Sequence, residues 1–216
     1  MIVQALLTIK NHFFLSWFAL LLFILGFAFS SVVEKYNLRI FKVLPLWFLG
    51  KTMKFASPER SFSQVFLFIF LFNSIAIFFY MMSGAFVLLP FIIAFLTGMN
   101  IGIVSLEPMP EELQKSTVYG KKNFRPGLIS FAGVLLVPLL EVASFCISIA
   151  MGMSLAVGMF FNFRFLMFLA LAPSRMFAYF VVIVPILFLS ALLETGAIKE
   201  LQKTDGETSK YPLDTQ

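Results

Sequence analysis

The chain has 216 residues, of which 60% are hydrophobic and 12% charged, with a mean hydropathy of +0.96. That balance excludes a soluble globular domain and defines an integral membrane protein. The formal charge of +5 is divided among the connections between apolar segments and does not gather on one soluble face, so it points to membrane orientation and not to nucleic acid.

From His12 to Val33 runs an apolar segment long enough to span a bilayer, with Lys10 just outside it. Ala28-Phe29-Ser30 resembles a cleavage site, but the apolar core exceeds the roughly 7–15 residues of a signal peptide, so residues 12–33 are read as the first helix. His12, the sole histidine, is expected at the interface. Residues 34–64 form a basic connection with Lys35, Arg39, Lys42, Lys51, Lys54 and Arg60 against Glu34 and Glu59, which the positive-inside rule places in the cytoplasm. Within it, residues 41–50 are apolar but too short to cross and are expected to lie in the interface, with Trp47 at headgroup level. Ser57 and Pro58 suit the first turn of the next helix.

Val65 to Val104 carries no charge and is long enough for two spans, 65–82 and 85–104, with Ser83-Gly84 as the turn of a tight helical hairpin. Asn73 lies about halfway along the first arm, where an amide needs a hydrogen-bond partner: a packed interhelical contact, with a pathway lining as the alternative. On the second arm Gly98-Met99-Asn100-Ile101-Gly102 is a GxxxG pattern that permits close backbone approach. Leu106 to Pro126 is a polar loop, acidic then basic, read as a plain solvated connection on the cytoplasmic side, with a short surface helix laced by local pairs as the alternative.

The stretch from Leu128 to Phe163 holds a single charge, Glu141, one turn after Pro138. As a straight helix it would run roughly 54 Å against about 30 Å of hydrocarbon, so it is expected to break, bend or cross twice, with a kinked or re-entrant helix around Pro138. Residues 128–150 are taken as the fourth span, and Gly152 and Ala156 offer a further small-residue face. A carboxylate inside hydrocarbon needs a cation, polar neighbours or a proton. Arg164 and Arg175 are the nearby cations, each expected either to snorkel to the interface or to turn inward and pair with Glu141. Arg175 opens the last span, 175–193, near whose end Glu194 is expected to cap or pair, and residues 197–216 form a polar tail.

The fold class is therefore all-α, a single polytopic bundle over residues 1–196 with five spans, or six if the central run crosses twice. Cys146 stands alone in an apolar run, and the 30 phenylalanines and 11 methionines are read as packing and lipid contact, so no cofactor is expected. The one histidine stands at the N-terminal boundary of the first span, which argues against an intramembrane metalloprotease or a Ser-His dyad, and Asp205 and Asp214 lie outside the spans, which argues against a paired-aspartate protease. No P-loop or dinucleotide glycine pattern occurs. An enzyme is not expected.

The order of these features resembles the stage II sporulation protein M family of integral membrane proteins. The resemblance rests on Phe72-Asn73-Ser74-Ile75-Ala76, on Gly98 to Gly102, on Glu141-Val142-Ala143 and on Val184 to Glu194, and covers about residues 65–196. Where the family usually has a histidine-glycine pair before the glutamate and a proline after it, this chain has Val137-Pro138 and Ala143. In spore-forming bacteria the resemblance implies a membrane anchor of a peptidoglycan-remodelling complex. It thus points to a scaffold or complex subunit in the cell membrane, with the lipid bilayer, other membrane or envelope proteins, or a second copy as partners. The alternative is a transporter or channel component with Glu141 as an ion or proton site. The candidate polar core is Glu141, Asn73, Asn100 and Arg175; the candidate packing positions are Gly98, Gly102, Gly152 and Ala156; Pro138 is the candidate helix break.

Overall fold

The computed structural model describes residues 2–55, 57, 59–106, 128–162 and 173–208, and no strand occurs among them. Five helices there are long and apolar enough to cross a membrane: Phe13–Lys35, Phe62–Ala85, Leu89–Leu106, Leu136–Gly158 and Pro173–Glu200. We label the elements α1 (Ile2–Asn11), α2 (Phe13–Lys35), α3 (Arg39–Phe55), α4 (Phe62–Met82), α5 (Leu89–Leu106), α6 (Leu128–Asn162) and α7 (Val184–Thr208); a π-helical turn, Tyr179–Ile183, precedes α7 within the last span. Residues 107–126, most of the polar loop, together with Arg164 and the end of the polar tail, lie outside the described residues.

Lipid chains are as apolar as leucine, so these helices must be held together by close packing and polar contacts more than by escape from water. The closest packing is between α2 and α5, which run parallel. A Cβ added to Gly26 would stand 1.9 Å from the Phe95 carbonyl oxygen, one on Gly98 1.9 Å from that of Phe23, and one on Gly102 2.3 Å from Ser30 Oγ. Gly98 and Gly102 thus let two backbones touch, and Gly26 is their counterpart on α2. At the turn after α4, Gly84 sits on α6: a Cβ there would stand 2.2 Å from the Gly152 carbonyl oxygen. Ala156, one turn beyond Gly152, is fully buried.

α6 is the centre of the bundle, with 56% of its membrane-crossing window buried against 22–33% for the other spans. Contrary to the expected break, the helix runs without interruption through Pro138. Proline there removes one backbone donor and crowds the preceding turn, which costs one ladder bond and leaves the turns on either side intact. The length problem is solved instead by extension: the window Leu136–Gly158 crosses, and the first turns continue beyond it, where a Cβ on Gly133 would stand 2.7 Å from Ala197 Cβ on α7. The central run therefore supplies one crossing and not two.

The hairpin turn falls at Ser83–Ala85, but its arms part. α5 lies on α2, while α4 lies on α6 and α7: Val65 and Ile69 pack with Ala191, and Phe70 meets Phe188 edge-on. The gap between the arms is covered by α3. That helix starts beside the end of α2, where Lys42 Nζ and Glu34 Oε2 pair at 2.5 Å, and then lies along α4, with Phe48 on Phe72 and Phe55 stacked on Phe68 at 4.2 Å. Residues 41–50 are thus part of a longer helix that packs on the spans, although Trp47 remains exposed.

Two helix ends differ from expectation. α4 is capped by Ser61 and not Ser57: Gln64 N–H donates to Ser61 Oγ at 3.3 Å and Ser61 N–H to Gln64 Oε1 at 3.1 Å, a capping box that satisfies two end donors. α7 does not stop near 193 but continues to Thr208, because Ile198 still packs beside Val65, Ile69 and Ala191, and Lys199 Nζ donates to the Arg60 carbonyl at 2.7 Å.

Candidate functional site

Between α4 and α5, floored by α6 and roofed by α3, lies a cavity of about 720 Å³. Its walls are mainly apolar, from Phe48, Phe72, Ile77, Val104 and Phe145, and its polar lining includes Asn73, Thr97, Asn100 and Glu141. Pro138, exposed on α6, sits at the rim one turn before Glu141.

Glu141 is half-buried, and its Oε1 is the point where three spans meet. Asn73 Nδ2 of α4 donates to it at 2.6 Å, and Ser190 Oγ of α7 donates at 3.4 Å. Oε2 hydrogen-bonds no described residue. A carboxylate accepting bonds from neutral groups is the arrangement that makes such a group tolerable away from water without a counter-ion. Glu194 follows Ser190 by one turn on the same face of α7. Ser190 and Glu194 were not assigned to this core from sequence; their four-residue spacing in an apolar helix, which puts them on one face, is the signal that was available.

Asn100 lies in the cavity wall and hydrogen-bonds no described residue, so its amide is a polar group of the cavity itself. Arg175 belongs elsewhere. It neither pairs with Glu141 nor snorkels: it is 5% exposed, and its Nη2 donates to Ser154 Oγ of α6 at 2.9 Å. That second polar cluster includes His12, which is buried in protein just before the first span. The Thr8 carbonyl oxygen, which can only accept, lies 2.5 Å from His12 Nδ1, so that nitrogen carries a proton. Burial lowers the His12 pKa, the Thr8 carbonyl opposes that shift, and the Arg175 charge adds to it. Tyr179, in the π-helical turn, donates its hydroxyl to the Ser74 carbonyl, a third tie between α4 and the last span. π-Helical turns free one backbone position and re-aim the side chains around them.

Among the described residues no group of three or more His, Cys, Asp or Glu side chains could hold a metal ion. A helical bundle crossing the membrane five times, with a carboxylate bridging two neighbouring spans, is a multi-pass integral membrane protein. The model of the family described as Stage II sporulation protein M matches residues 19–196, and the chain belongs to that family. The match takes in Asn73, the Gly98–Gly102 crossing, Glu141 and Glu194. Neither a curated protein nor a solved structure matches the chain.

Proposed function

We propose that this protein is a non-enzymatic scaffold or subunit of a membrane complex that acts on the cell envelope, with its basic connection facing the cytoplasm and its spans in the cell membrane. The observation that carries the reading is the use to which the embedded polar groups are put. Asn73, Glu141 and Ser190 are spent on one another, tying α4, α6 and α7 into a fixed unit. A rigid core of this kind holds the outer faces of the helices in register for partners, whether envelope proteins or a second copy. Family membership supports the same reading.

A second reading, a transporter or channel component, is supported by one feature: the cavity reaches Glu141, whose Oε2 has no described partner. Two substitutions separate the readings. Glu141→Gln keeps an oxygen able to accept from Asn73 and Ser190, whereas Glu141→Leu keeps none. For a scaffold, Glu141→Gln retains native partners in co-isolation, Glu141→Leu loses them, and proteoliposomes show no ion or proton flux with either. A Glu141→Gln protein that assembles normally but abolishes a flux seen in the parent overturns the scaffold reading.

A further inference from the structure

The cavity itself is left unexplained by a scaffold whose polar groups only brace helices. The walls of this open pocket of about 720 Å³ lack dispersion partners that an apolar occupant would supply. The pocket falls within the roughly 300–1,000 Å³ of small-molecule sites. Water is a poor filler here, because most of the wall is aromatic or aliphatic and such surfaces stay dry. Leu44, Phe72 and Ile101 of the lining are apolar and 65%, 38% and 44% exposed, so the pocket presents an apolar face to its surroundings, as an entry for a lipid-like chain would.

The polar part of the lining limits the head group of whatever enters. No Lys, Arg or His lines the cavity among the described residues, and one carboxylate does. An anionic head would meet like charge with no cation to offset it. Glu141 Oε2 and the Asn100 amide together offer an acceptor and a donor–acceptor pair that no described residue uses. A hydroxyl, which both donates and accepts, satisfies such a set whichever protonation state the carboxylate holds.

We propose that the cavity between α4 and α5 binds a neutral, single-chain amphiphile drawn from the bilayer, with its hydroxyl head between Glu141 and Asn100 and its chain under α3. The inference does not depend on the scaffold reading, and α3, which roofs the cavity, is the element whose position the ligand would set.

The test uses the full chain in nanodiscs with a long-chain alcohol carrying a photoactivatable diazirine. Labelling is expected to concentrate on the peptides containing Phe72–Tyr80 and Thr97–Ser105. It should fall at least fivefold with excess unlabelled hexadecanol but not with hexadecanoate or a hexadecyl phosphate. Ala76→Phe, which fills the cavity, should reduce it at least fivefold. Should that variant fail to fold, Asn100→Leu, which keeps the branch at Cγ and the number of side-chain heavy atoms but no polar group, should remove the preference for the alcohol over a diazirine alkane while leaving the helical circular dichroism unchanged. Labelling spread evenly over lipid-facing positions such as Leu21 and Leu25, or competed equally by hexadecanoate, overturns the proposal, as does labelling indifferent to both substitutions.

Discussion

Asn73 and Glu141, 68 positions apart in sequence, meet at 2.6 Å in the interior of the bundle, the amide nitrogen donating to Oε1. Because Ser190 donates to the same oxygen, one atom of one side chain links the second, fourth and fifth spans. Such contacts are modest in a membrane, averaging about 0.6 kcal/mol and reaching about 1.7, yet helix association there has little hydrophobic drive to replace them.

The first expectation follows from that atom. Glu141→Leu leaves the Asn73 amide and Ser190 hydroxyl without their acceptor and should destabilise the bundle by about 1–3 kcal/mol. Glu141→Gln, which preserves an acceptor, should cost less than half as much. Reversible unfolding in mixed micelles measures both.

Gly98→Leu should separate α2 from α5. The Phe23 carbonyl oxygen stands 1.9 Å from where its Cβ would be, and a backbone atom cannot swing aside as a side-chain end does. A loss of about 1–3 kcal/mol is expected from the overpacking. Loss of heat-resistant helicity measures it.

Ser61→Ala removes the side-chain acceptor of the α4 capping box and should cost about 0.5–2 kcal/mol. Ser57→Ala should have no measurable effect, since Ser61 and not Ser57 caps the helix. Thermal unfolding of the two variants side by side checks the assignment.

His12 lies just outside the first span and is held below its ordinary value of 6.5, chiefly by burial. Between the folded and unfolded values the unfolded chain binds more protons, so stability falls as pH drops through about 6.5 and is fully retained above it. Arg175, the nearby cation, makes charging the ring harder still. His12→Gln should flatten the part of the stability–pH curve between pH 7.5 and 5; a curve identical to the parent's would show that His12 does not titrate with folding.

The class of fold was legible in the sequence because hydrocarbon imposes lengths: each uncharged run matched to about 30 Å of bilayer gives a span. The family was legible in the short motifs at Asn73, Gly98–Gly102, Glu141 and Glu194. Where reasoning from local rules went astray, a tertiary contact had overridden a local signal. Pro138 argued for a break, but α6 stays helical through it. Arg175 was weighed with Arg164 as a partner of Glu141 because both lie near the apolar runs that follow it, yet it donates to Ser154 in space. The cavity was not legible at all. It exists because α5 leaves its hairpin partner for the glycine face of α2, and only the packing reveals that choice.

The central claim is that the Asn73–Glu141 contact holds spans together, and a double-mutant cycle tests it most directly. Asn73→Leu, Glu141→Leu and the double variant are compared by steric-trapping unfolding in bicelles. A favourable coupling of about 0.6–1.7 kcal/mol is expected. Costs that simply add, within about 0.3–0.5 kcal/mol, would contradict it, because they would mean that the two side chains do not sense each other.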